Sequence, residues 1–143
     1  MSKRRDVILA LKALVAVALP DAKVRGFDVD SARPASIPAG GVVIGHPGAA
    51  GDPQIDLSPA CYTYNHPITL EISPSVDADQ AAALDVMLGD LGRAIVADRT
   101  LGGLCIWLEA QAPDEDDTPS GEGSQRWATF DIVASYSTTD PLN

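Results

Sequence analysis

Few residues in this chain are able to make or break bonds. His46 and His66 are the only histidines, and Cys61 and Cys105 the only cysteines. Cys61 with His66 is a candidate thiol–imidazole pair, in which an imidazole takes the thiol proton and leaves a thiolate. On one regular strand an offset of five puts those two side chains on opposite faces, so the pair is not expected to meet. A metal site built on the histidines needs further Asp, Glu or Cys ligands gathered by folding, and no spacing announces one. The cysteines form no C-x-x-C and read as free, half-buried thiols in a reducing compartment. No catalytic residue, cofactor or metal is expected.

Three other segments carry a hint of chemistry. Gly45-His46-Pro47-Gly48-Ala49-Ala50-Gly51 is glycine-rich, but it lacks the G-x-G-x-x-G spacing and no helix pattern follows to present its N-terminus to phosphate. Pro113–Ser124 carries Asp114, Glu115, Asp116, Asp117 and Glu122 with no basic residue. A calcium loop starting at Asp114 wants Gly sixth and Glu twelfth; the chain has Pro119 and Gln125 there. That segment reads as a solvated polar loop. Asp28, Asp30, Asp52 and Asp56 sit in loops or at strand ends, nothing pairs them, and there is no G-x-S-x-G elbow.

Charge narrows the partners. Ten basic residues against twenty acidic give a net charge of −10. Nucleic-acid binding through phosphates needs clustered Lys and Arg, so this chain is not expected to hold DNA. An acidic surface repels DNA, which suits a conduit that DNA slides through. The basic residues are also unevenly placed: Lys3, Arg4, Arg5, Lys12, Lys23 and Arg25 lie in the first 25 positions.

The elements that must position these groups follow from periodicity. Ile8, Leu11, Val15 and Ala18 predict an amphipathic helix over about residues 4–19, ended by Pro20. Asp6 and Lys12 interrupt its apolar run and Pro20 sits where a cleavage site wants small residues, so it does not read as a signal peptide. It is also too short for the ~20 residues that span a bilayer, and no membrane partner is expected. Residues 23–30 predict a strand with Arg25, Phe27 and Val29 on one side. Val42–Ile44 predicts another, closed by Gly45. His46–Pro59 reads as a long irregular excursion.

The strand from Tyr62 to Ile72 is the clearest. Tyr62, Tyr64, His66, Ile68, Leu70 and Ile72 share one face, and Pro67 requires an edge or a bulge there. A second helix is announced by Asp77 and Gln80 as a capping box and by Leu84, Leu88, Leu91 and Ile95 as its stripe. Gly89 and Gly92 weaken it, each by about 1 kcal/mol, unless close packing on the sheet or on another subunit offsets the loss. A strand is expected from Leu104, and a last one with Ala128, Phe130, Ile132, Ala134 and Tyr136 on one face. Trp107 and Trp127 fall on the polar faces of these strands, where they either cover a small second core or serve as exposed interface anchors. The order predicts one α+β domain over residues 1–143: a mainly antiparallel sheet with two helices packed on one face. Its long loops are expected at about 45–60 and 111–125.

The helix-to-strand junction Asp98-Arg99-Thr100-Leu101-Gly102-Gly103 is the most informative feature, because paired glycines tolerate positive φ and close backbone approach. With the closing Tyr136-Ser137-Thr138-Thr139-Asp140-Pro141-Leu142, the opening helix and the strand ending Ile68-Thr69-Leu70-Glu71-Ile72, it resembles the tail terminator (tail completion) proteins of long-tailed bacteriophages and prophages. The resemblance covers most of the chain in layout. It implies a non-enzymatic virion protein that closes into a ring, hexameric in relatives. Such a ring caps the tail tube, ends its polymerisation and forms the head–tail joining surface at the head-proximal end of the tail.

The implied partners are other copies of itself, the tail tube protein and the head–tail connector protein, with DNA passing through unbound. On that reading Lys3, Arg4 and Arg5 and the turn Thr100, Leu101, Gly102 and Gly103 are candidate contacts to subunits or tube. The Pro113–Ser124 loop belongs at the lumen or a rim. The same features fit another connector or tube component. From other classes, a small cytoplasmic enzyme or ligand-binding module using Cys61 and His66, or an exported α+β domain, remains as an alternative.

Overall fold

The computed structural model describes residues 2–76, 79–120 and 123–143. Ser2 caps helix α1 (Lys3–Ala18), its hydroxyl accepting from the Arg5 amide at 3.2 Å. Val7, Ile8, Leu11 and Val15 form the buried stripe. Helix α2 (Gln80–Ala97) buries Leu84, Leu91 and Ile95. Its cap is Asp79, which accepts from the Ala82 amide at 3.4 Å; the expected capping residue, Asp77, lies outside the described residues.

Seven strands form one mixed sheet: β1 (Lys23–Gly26), β2 (Val42–Pro47), β3 (Gln54–Leu57), β4 (Ala60–Ser73), β5 (Trp107–Ala110), β6 (Asp114–Ser120) and β7 (Gly123–Thr138). Only β1 and β2 run parallel; every other pairing is antiparallel. The long strands β4 and β7 pair from Tyr62 with Thr138 to Ile72 with Ala128. On the outer side of β4, β2 takes residues 68–73 and β3 takes 60–63. Residues 64–67 are therefore an edge on that side, which is where Pro67, with no N–H to give, sits. On the outer side of β7, β6 takes 123–129 and β5 takes 132–135. The sheet thus holds two rows, β1-β2-β4-β7-β6 and β3-β4-β7-β5.

Both helices lie on one face. Their stripes pack on Tyr64, Ile68, Leu70 and Ile72 of β4 and on Ala128, Phe130, Ile132, Ala134 and Tyr136 of β7. This is the expected α+β architecture, with the expected residues facing inward. The opposite face carries a small second core of Val42, Ile44 and Trp127, with Ile37 against it.

Several expectations need correction. The segment after Gly45 is not irregular throughout, because β2 continues to Pro47 and β3 forms a hairpin with β4. The expected loop at 111–125 is largely a β-hairpin of β6 and β7. Polar side chains suit it because β6 is an edge strand exposed along Asp114–Asp117. The strand expected at 23–30 stops at Gly26, since Gly26 and Phe27 both take positive φ (77° and 66°). The strand expected from Leu104 starts at Trp107; residues 104–106 complete a turn, which leaves Ile106 exposed. Neither helical glycine packs on the sheet. A Cβ at Gly92 would meet nothing within 4 Å, and one at Gly89 only Arg93 Nη1 at 3.6 Å.

Candidate functional site

The junction after α2 is built by nearly every residue of its motif. Asp98 Oδ1 accepts from the Gly102 amide at 3.0 Å. The Thr100 carbonyl accepts from the Gly103 amide (3.0 Å) and the Cys105 amide (2.9 Å), and its hydroxyl takes a longer bond from Gly103 (3.3 Å). Leu101, Gly102 and Gly103 all have positive φ (49°, 68° and 96°). Three such residues in a row reverse the chain tightly, and two of them are the residue type that does so without strain. Leu101 tolerates it because its side chain is buried, so it anchors the turn in the core rather than offering itself as an outward contact.

Arg99 then fixes the strand that follows. Its Nη1 donates to the Leu108 carbonyl at 2.7 Å, on the outer edge of β5, and its guanidinium lies 4.5 Å from the Trp107 ring centre. Trp107 Nε1 donates to Glu109 at 2.8 Å. Trp107 is 47% exposed and held flat by these neighbours. It remains a candidate anchor. Trp127 does not: it is 2% exposed, roofed by the Arg33 guanidinium at 4.5 Å from its ring centre. An aromatic on a polar-looking strand face needs a cover, and here a distant loop supplies it.

That cover is part of a cluster on the helix-free face. Arg33 Nε donates to Glu71, and its Nη1 donates to Asp116 at 3.3 Å. His46 Nε2 donates to the other Glu71 oxygen at 2.7 Å. Burial lowers the Arg33 pKa, but its bonds to Glu71 and Asp116 outweigh that and raise it above the ordinary value. The cluster pins the loop 27–41 across the sheet. No local pattern in the sequence links Arg33 to Glu71: they are 38 residues apart and meet only where the loop 27–41 crosses the helix-free face of β4.

His66 lies in the main core, fully buried. Its Nε2 faces the Gly48 carbonyl at 2.6 Å and therefore donates; Nδ1 accepts from the Tyr136 hydroxyl at 2.9 Å. Burial lowers its pKa, the bond to Gly48 works against that, and the Arg4 charge adds to the lowering. Cys61 sits on the opposite face of β4, so the thiol and imidazole are not brought together. Cys105 is buried, and burial followed by the Asp98 charge raises its thiol pKa. Among the described residues no group of His, Cys, Asp and Glu is arranged to hold a metal ion.

The basic N-terminal turn is at the surface, with Arg4 and Arg5 exposed and Lys3 half-buried. Arg4 lines a pocket of about 210 Å³ with Tyr64 and Tyr136. Further along, α1 and α2 flank an apolar groove of about 510 Å³ lined by Ala10, Leu14, Val17, Ala94, Ala97 and Leu101. Asp114, Glu115, Asp116 and Asp117 all lie on β6; Glu122 lies outside the described residues. No helix among the described residues is long and apolar enough to cross a membrane. No protein-family model matches the chain, and neither does any curated protein.

Proposed function

We propose that this chain is a non-enzymatic assembly subunit of the tail terminator kind: copies close into a ring on the end of a phage tail tube, stop its growth and form the head–tail joining surface. The observation that carries the reading is the junction Asp98–Cys105. The motif on which the resemblance rests is a fully bonded turn that displays Arg99 and Trp107 in fixed positions. Rigid display on a surface is what a protein needs when its work is contact. The acidic balance fits a ring through which DNA moves without sticking. The reading calls on no reacting group; Cys61 and His66, the pair an enzyme reading would use, lie on opposite faces of β4.

The test is polymerisation of the cognate tail tube protein with and without this chain, followed by electron microscopy. Tubes that stop growing and carry a ring at one end support the reading. Tubes of unchanged length with bare ends overturn it.

A further inference from the structure

The two outer strands of the row β1-β2-β4-β7-β6 carry opposite charge in the same register. Arg25 pairs with Ile44, Ile44 with Glu71, Glu71 with Thr129, and Thr129 with Asp114. One row of the sheet therefore ends in a cation on one side and a carboxylate on the other. One step along, Lys23 pairs with Val42 and Trp127 with Asp116, on the same helix-free face. Lys23, Arg25 and Asp114 form no ion pair among the described residues, and Asp116 has only the 3.3 Å contact with Arg33.

β6 is open along its outer side; β1 is open there at Val24, while its Gly26 carbonyl accepts from Lys12 Nζ at 3.2 Å and from the Asp28 amide at 2.9 Å. β1 pairs only with β2, and β6 only with β7. The Lys23 and Phe27 amides bond towards β2, so the alternation of the strand turns the Val24 backbone groups outward. No partner among the described residues takes those groups or the outward groups of β6. The other row differs. β5, like β1, has one outward carbonyl taken, that of Leu108 by Arg99, but its charged residue is Glu109. β3 carries Asp56 and no cation. An open edge of this kind is a template for another chain, and cross-strand pairs of opposite charge favour one register.

We infer that β6 of one copy adds to β1 of the next, with Asp114 against Arg25 and Asp116 against Lys23. Strand direction follows from the topology: β7 runs with β1, and β6 runs against β7, so the new pair is antiparallel. The contact is head-to-tail, which closes a ring when the rotation per copy divides a full turn. The inference rests on the self-assembly reading above and names its interface.

The test uses charge reversal in the full chain, read by sedimentation velocity in solution and by microscopy on tube ends. Arg25→Glu alone and Asp114→Arg alone each set like charges across the contact, and each is expected to lose the oligomer. In an equimolar mixture, copies of the two variants that alternate meet only through matched contacts, so mixing is expected to restore it, as is the double variant. Restoration by mixing also shows that both variants are folded. Single variants that assemble like the wild type, or a mixture and a double variant that both stay dissociated with wild-type circular dichroism, overturn this interface and leave self-assembly standing. A wild-type chain that assembles neither in solution nor on tube ends overturns both.

Discussion

The Phe27 ring lies directly against Gly45. A Cβ on Gly45 would come within 2.5–2.6 Å of three ring atoms. Phe27 reaches this place because its own φ is 66° and the preceding Gly26 has φ 77°, which swings the chain off β1 and over β2. The ring is 1% exposed and joins the main core. Gly45→Ala therefore forces a buried aromatic out of its site. It is expected to cost about 1–3 kcal/mol, the usual range for overpacking, measured as a lower urea midpoint with unchanged slope. A midpoint equal to the wild type refutes the packing.

His66 makes stability depend on pH in one direction. Unfolded, an imidazole titrates near 6.5; folded, burial keeps His66 neutral to lower pH. As pH falls below about 6.5 the unfolded chain binds a proton that the folded chain refuses. The contribution of His66 is thus complete above that pH and is lost as pH drops towards the folded value, with a slope of at most about 1.4 kcal/mol per pH unit. Denaturation curves between pH 5 and 7.5 are expected to show this rise, and His66→Gln to flatten it. An unchanged slope in the variant rules out His66 as its source.

Much of this arrangement is legible in the order of residues, and the illegible parts share a cause. The inward face of β4 is plain because Tyr64, His66, Ile68, Leu70 and Ile72 alternate without a break, and a period of two survives any register. The hairpin strand β6 is hidden because Asp114–Asp117 have low strand propensity. They are held in place by pairing with β7, which already has β4 on its other side. Trp127 looks exposed because its local neighbours are polar, and the Arg33 that covers it is remote in sequence. The opposite charges of β1 and β6 are visible in the sequence as two clusters. Only the register shows that Arg25 and Asp114 end one row.

The glycines of α2 test what the isolated chain needs. Gly92 has no neighbour that an added methyl group would touch. In a helix interior, glycine is less stable than alanine by about 0.8–1 kcal/mol. Gly92→Ala is therefore expected to raise monomer stability by about that amount, seen as a higher urea midpoint. A fall in stability shows that the backbone there depends on glycine in a way the helix geometry does not reveal. A rise in stability with loss of tube capping instead assigns Gly92 to a close contact with another subunit, where a methyl group has no room.

The two tryptophans report on different parts of the molecule, which makes assembly visible without a label. Trp127 is sealed under Arg33, while Trp107 is half open beside Arg99. The variant Trp107→Phe leaves only the sealed ring, so its emission is expected to be blue-shifted and poorly quenched by acrylamide. The variant Trp127→Phe leaves only the open ring, and its emission is expected to lie further to the red and to be quenched readily. Arg33→Ala in the Trp107→Phe background removes the roof and is expected to shift the remaining emission to the red. If both single-tryptophan variants are quenched alike, the burial of Trp127 is wrong. If the quenching of Trp107 drops when rings form, Trp107 is covered by a neighbour and acts as an interface anchor. Unchanged quenching on assembly removes it from that role and leaves Arg99 stacking as its purpose.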